Sequence, residues 1–205
     1  GLEFADAVKI VRQRGTYMQE AVPVGTGTMA AIMGIDEEAL EQICRAAADG
    51  EIVAPANYNG PGQIVIAGHA TAVERAIALA KEQGAKRALL LPVSAPFHSA
   101  LMTPAAQRLK VALDPISVST LHCPVVSNVE ATPNQAADRV KSLLIEQVCA
   151  PVRWYESVQQ MHDLGVTSYL EIGPGKVLSG LIKRIDRTAL LQNVEDVDSL
   201  VKLQG

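Results

Sequence analysis

Between Met29 and Val93, six short segments of strand or helix character follow one another so closely that few folds can hold them. Met29 to Met33 reads as a strand. Asp36 stands where an N-cap would, with Glu37 and Glu38 in the first turn, where the positive end of the helix dipole favours acids. That helix carries Leu40, Ile43 and Cys44 and ends at Gly50. Ile52 to Asn57 is strand-like, Asn59-Gly60-Pro61-Gly62 is a turn, and Gln63 to Ala67 is a strand again. Thr71 and Glu74 have capping-box spacing, the following helix bears Val73, Ile77 and Ala80, and Gly84 stops it. The run Arg87 to Val93 closes the set. The order β-α-β-β-α-β over about 65 residues is that of the ferredoxin-like split unit. Residues 24–93 are therefore expected to form a subdomain that closes its own sheet.

The flanking sequence has a different rhythm. Glu3 to about Glu20 predicts a helix, with Phe4, Val8, Val11 and Met18 recurring on one face. Arg14 falls on that same stripe. A buried-side arginine needs an anionic partner, unless its stem snorkels and its head reaches water. Gly15 beside it permits a kink or close packing. After residue 94 the pattern predicts a helix to about Leu113, a buried-type strand at Pro124–Val129, and a helix from Asn134 to Val148. Gln147 lies at the edge of that last helix's apolar face. A helix from Trp154 to Leu164, a strand at Tyr169–Ile172 and a helix from Val177 to Ile185 follow, then a strand from Leu190 and a short helix. Strand and helix alternate as in an α/β layer, yet the strands are too few for a well-covered parallel sheet. Residues 1–23 and 94–205 are expected to form part of an α/β domain whose remainder lies outside these residues.

Composition narrows the function. The net charge is −4 and no basic run is interleaved with aromatics, which argues against nucleic acid as a partner. No apolar stretch reaches the roughly 20 residues that span a bilayer, and none reads as a signal peptide. Cys44, Cys123 and Cys149 have no close pairing, which favours a reduced, cytoplasmic protein over a disulfide scaffold or a zinc site. His69, His98, His122 and His162 lack metal-ligand spacing, so neither metal nor cofactor is expected.

The stretch Ser94-Ala95-Pro96-Phe97-His98-Ser99-Ala100-Leu101-Met102 carries the chemistry. Pro96 holds the backbone extended, and His98 follows where the pattern turns helical. A histidine at such a junction can take and return a proton near neutral pH. On this stretch alone a hydrogen-bonded structural histidine fits equally well. Gly173-Pro174-Gly175-Lys176 fails as a phosphate loop, because Leu170 and Val177 stand where the Walker pattern needs Gly and Ser or Thr. Asn57, Asn59 and Gln63 around a Gly-Pro-Gly turn can bind a ligand's amides or simply cap their own turn. No serine has glycine at both −2 and +2, so no nucleophile elbow is present.

Phe4–Val8 through Arg14-Gly15, Met18–Pro23, Asn57–Gln63, Lys86–Leu89, Pro96–Met102, Pro124–Val129 and Glu171–Leu178 together resemble, in order and spacing, the C-terminal two-thirds of the bacterial malonyl-CoA:acyl-carrier-protein transacylases. The resemblance implies a partial hydrolase-like α/β domain with an inserted ferredoxin-like subdomain. It implies transfer of malonyl from coenzyme A to the phosphopantetheine thiol of acyl carrier protein in fatty acid biosynthesis, through an acyl-serine. Residue by residue, His98 matches the general base and acid, and Gln147 the position whose backbone carbonyl orients it. Arg14 matches the arginine that grips the malonyl carboxylate, which would be the anion its placement calls for. Phe97 matches the bulky residue of malonyl-preferring members. Met18 and Asn57 or Asn59 match positions along the acyl and pantetheine path. The family's glutamine-rich loop and G-H-S-x-G elbow correspond to sequence ahead of Gly1. These residues alone are thus expected to be inactive. Two rival readings are a non-catalytic module binding an acyl carrier or coenzyme A, and a hydrolase of the same fold.

Overall fold

The computed structural model describes residues 1–204. Helix α1 (Phe4–Gln19) leads into strand β1 (Gly27–Met33), helix α2 (Glu37–Ala48), strands β2 (Val53–Gly60) and β3 (Gln63–His69), helix α3 (Ala70–Glu82) and strand β4 (Arg87–Leu90). A 3₁₀ turn (Ala100–Met102) opens α4 (Thr103–Leu113), followed by β5 (Val125–Val126), β6 (Pro133–Asn134), α5 (Ala137–Glu146) and α6 (Trp154–Asp163). The chain then forms β7 (Ser168–Ile172), α7 (Val177–Ile185), β8 (Leu190–Val194) and α8 (Val197–Gln204). The fold is mixed α/β, and no helix among the described residues is long and apolar enough to cross a membrane.

Strands β1 to β4 form one antiparallel sheet in the order β2-β3-β1-β4. Side chains along a strand alternate between faces, and both faces of this sheet are used. Ala30, Ile32, Ile64 and Ile66 bury one face under Leu40, Ile43 and Cys44 of α2 and Val73, Ala76 and Ala80 of α3. Met29, Val65 and Ala67 point the other way and, with Ala56, pack against Leu91, Val93 and Phe97. The second face therefore meets the segment carrying His98. Asp36 caps α2 by accepting from the Ala39 amide at 2.8 Å. The Arg75 guanidinium closes the other end of α2, donating to the carbonyls of Ala47 and Ala48.

A second core joins α1 to α4 and α5. It is built from Ile10 and Met18, then Ala95, Met102, Ala105, Leu109 and Leu113, and finally Val148. The two parts are stitched where the chain between α5 and α6 runs beside β2. The Val152 amide donates to the Ala56 carbonyl and the Tyr58 amide donates to the Val152 carbonyl, both at 2.8 Å. β7 and β8 pair in parallel as a two-stranded sheet.

Several local expectations are corrected. Of the expected α1 stripe only Met18 is buried, together with Ile10, whereas Phe4 is 82% exposed and Val8 and Val11 are exposed beside it. Helical spacing marks a stripe but does not say which stripe is covered. Thr71 does not cap α3, which starts at Ala70 with His69 in the cap position and no side-chain cap bond. The Thr71 hydroxyl instead donates to the Glu51 carboxylate. Nothing packs closely at Gly15, and α1 passes through it unbroken. The Asn134–Val148 helix shortens to Ala137–Glu146, because Pro133 and Asn134 pair with Val126 and Val125. The Pro124–Val129 strand shrinks to that two-residue pair, and Val125 is exposed.

Gly68 shows how tightly β3 is set against the start of β2, since a Cβ there would lie 2.0 Å from the Ile52 carbonyl oxygen. Backbone cannot yield as a flexible side chain does. Gly68→Ala is expected to lower stability by about 1–3 kcal/mol, the range for overpacking, read as an earlier urea midpoint.

Candidate active site

His98 sits at the turn where the chain leaves the small sheet and enters α4. Ala95 and Pro96 are buried beneath it, and the Ser99 hydroxyl donates to the Pro96 carbonyl at 2.7 Å. The Ser94 hydroxyl donates to the Gln19 side chain at 2.5 Å, tying the turn to the end of α1. His98 adopts φ +57°, in the left-handed region. For a residue with a Cβ that conformation costs roughly 1–3 kcal/mol and persists only where the surroundings dictate it. The sequence pattern placed His98 at a helix start. It is instead a left-handed residue two positions ahead of the 3₁₀ turn.

The ring is held from behind. Nδ1 lies 2.9 Å from the Gln147 carbonyl oxygen and 3.2 Å from that of Ala150. A carbonyl can only accept, so Nδ1 carries the proton and donates. In the neutral ring Nε2 is then a free acceptor. Burial pushes the His98 pKa below its ordinary value. The two carbonyls oppose that shift, and the positive charge of Arg14 adds to it.

In front of His98 is an open cleft of about 420 Å³. Arg14, Gly15 and Met18 of α1 form one wall, and Met29 of β1 with Asn57 of β2 form another. Leu91, Val93 and Phe97 complete it beside His98. The Arg14 Nε is buried without a hydrogen-bond partner, and burial lowers the arginine's pKa. A desolvated guanidinium with an idle donor is built to receive an anion of matching shape.

Of the residues singled out by sequence, Arg14, Met18, Asn57, Phe97 and His98 share this cleft, and Gln147 lies behind the ring. Asn59 does not line it. The β2–β3 ladder skips Asn59 at an irregularity between Tyr58 and Gly60, and a register break is invisible to period-2 reading. Met29, Leu91 and Val93 were missed because they read as ordinary strand residues. Only the sheet's second face, turned towards Phe97, brings them here. At Gly173–Lys176 the α7 amides already have an anion, since the Glu171 carboxylate accepts from Leu178 and Ser179.

A half-buried histidine and a half-buried arginine, whose Nε has no partner among the described residues, thus share one cleft. The acyl transferase domain family matches residues 1–204, and the chain belongs to that family. It is 52% identical over 184 residues to the malonyl CoA-acyl carrier protein transacylase of Escherichia coli K12, covering 90% of this chain and 60% of that relative. The crystal structure of an acyl carrier protein S-malonyltransferase from Vibrio cholerae superposes with a TM-score of 0.94 at 50% identity, covering 98% of this chain and 66% of that one. A malonyl-transacylase in complex with its type II polyketide acyl-carrier protein matches with a TM-score of 0.93 at 48% identity, over 98% and 65%. The chain thus spans about three-fifths to two-thirds of these proteins' length.

The lowered pKa of His98 has a direction in stability. The fold favours the neutral ring, so the unfolded chain takes up the proton at higher pH. His98's contribution is complete above about pH 6.5 and is lost as pH falls through its folded value. Between pH 7 and 5 the chain should lose more stability than its His98→Gln variant, measured as the difference in urea midpoints.

Proposed function

We propose that these residues are the part of a malonyl-CoA:acyl-carrier-protein transacylase that supplies the acid–base histidine and the carboxylate clamp. The observation that carries this reading is the convergence of His98 and Arg14 on one cleft. In this mechanism the Arg14 guanidinium binds the malonyl carboxylate and aligns the thioester before Nε2 of His98. His98 takes the proton of a serine hydroxyl as it attacks the thioester carbonyl, and returns it to the departing coenzyme A thiolate. The acyl carrier protein's phosphopantetheine thiol then reverses the sequence, with His98 as base once more. The Gln147 carbonyl keeps Nδ1 protonated throughout and favours the imidazolium as it forms. Phe97 narrows the space beside the acyl α-carbon, which disfavours a branched donor. Met18 and Asn57 line the path of the acyl and pantetheine chain.

Residues 24–93 fit a ferredoxin-like subdomain, whose sheet order is β2-β3-β1-β4. Residues 1–23 and 94–205 fit part of a hydrolase-like α/β domain. A parallel pair such as β7–β8 is normally covered on both faces, yet Ile172 and Val177 are 77% and 72% exposed, as is Phe4 of α1. That apolar surface suits packing against the third of the relatives' length that this chain does not span. The serine and the oxyanion donors would come from there. A cytoplasmic setting suits three free cysteines and soluble acyl thioester substrates.

Two measurements test the reading. Incubated with malonyl-CoA, the 205 residues alone should gain no malonyl mass, and an adduct would overturn the assignment of the nucleophile elsewhere. Joined to the upstream third of the Escherichia coli relative, the chain should transfer malonyl. Arg14→Ala should then cut malonyl transfer by about 10- to 100-fold, the worth of one charge-assisted contact, while leaving acetyl transfer nearly intact. Equal losses for both donors would count against the clamp.

A further inference from the structure

We infer that Pro151 is a positioning residue for His98, acting by what its backbone lacks. This deepens the acyl-transfer reading and rests on it for its catalytic meaning, although the geometry stands without it. Helix α5 ends at Glu146 with Gln147 as its C-cap. Were the helix to continue, the Gln147 carbonyl would accept from the amide four residues on. That residue is Pro151, which has no amide hydrogen. The neighbouring amides are spent elsewhere. Those of Cys149 and Ala150 both donate to Glu146, and that of Val152 donates to Ala56 on β2. The Gln147 carbonyl is left with one donor among the described residues, the His98 Nδ1–H.

Pro151 also keeps Ala150 out of helical geometry, so the Ala150 carbonyl turns to the same nitrogen. Val152 then fixes the segment by its two hydrogen bonds to β2, beside Asn57 of the cleft. Two carbonyls on Nδ1 hold the neutral ring in the tautomer whose Nε2 is bare. A donor restored at position 151 would compete with the imidazole for the Gln147 oxygen and release that constraint.

The test is the tautomer of His98 in the 205-residue chain, read from ¹⁵N shifts of the imidazole nitrogens above the ring's pKa. In the native sequence Nδ1 should be protonated and Nε2 bare. The opposite tautomer would overturn the proposal with no variant needed. In Pro151→Ala, and in Pro151→Val, whose branched side chain keeps the segment extended, the ring should become a mixture of tautomers while the circular dichroism stays native. A folded variant with the native tautomer would also overturn it. Unfolding of both variants would overturn the proposal too, since the proline would then hold up the fold rather than position the ring. A failure of malonyl transfer in the joined protein, with the tautomer as expected, would count against the acyl-transfer reading and leave the role of Pro151 standing.

Discussion

The site depends on one helix ending in the right place. At its C-terminus, α5 exposes carbonyl oxygens that no further turn can satisfy, and the negative end of its dipole lies there. His98 donates to two of the carbonyls just past that end. In many acyl-transfer sites a carboxylate fills this place, orienting the imidazole and favouring its charged form. Here neutral backbone does both. Burial, and after it the charge of Arg14, work against the imidazolium at the same time, so the ring's proton affinity is a compromise between its buried setting and the dipoles behind it.

The small sheet earns its position by being two-sided. Its Ala30–Ile32 face is closed by α2 and α3. The Met29–Val65 face is then free to become a wall of the cleft. The strand-to-turn passage from Leu91 to His98 runs across that wall and continues into the second core through Ala95 and Met102. The histidine is thus clamped between two cores, which is how its left-handed backbone is tolerated.

Much of this was legible in the chain. The β-α-β-β-α-β order, the α7 boundaries and the capping of α2 by Asp36 follow from residue types whose preferences are local. The convergence of Arg14, Met18, Asn57, Phe97 and His98 was accessible only through family likeness, since they come from separate elements. The rest was hidden for specific physical reasons. The left-handed turn at His98 is imposed by tertiary packing on a residue with no intrinsic need for it. Asn59 lost its place to a one-residue irregularity in the ladder, and Thr71 went to Glu51 because Arg75 had already drawn that carboxylate in. The α1 stripe holds at Met18 and Arg14 but its first half lies exposed among the described residues, because periodicity cannot tell which neighbours a helix has.

The Val152 stitch has a mechanical consequence. It fastens β2, a wall of the cleft, to the segment whose carbonyls hold the imidazole, so the two cannot slide apart without disturbing the ring. Breathing of the backbone is therefore a poor way to widen the cleft. Adaptation falls to the lining, where Met18 and Met29 offer unbranched, polarisable thioethers with more rotamers than a branched side chain. The frame stays stiff behind the imidazole, and whatever give the cleft has belongs to its unbranched side chains.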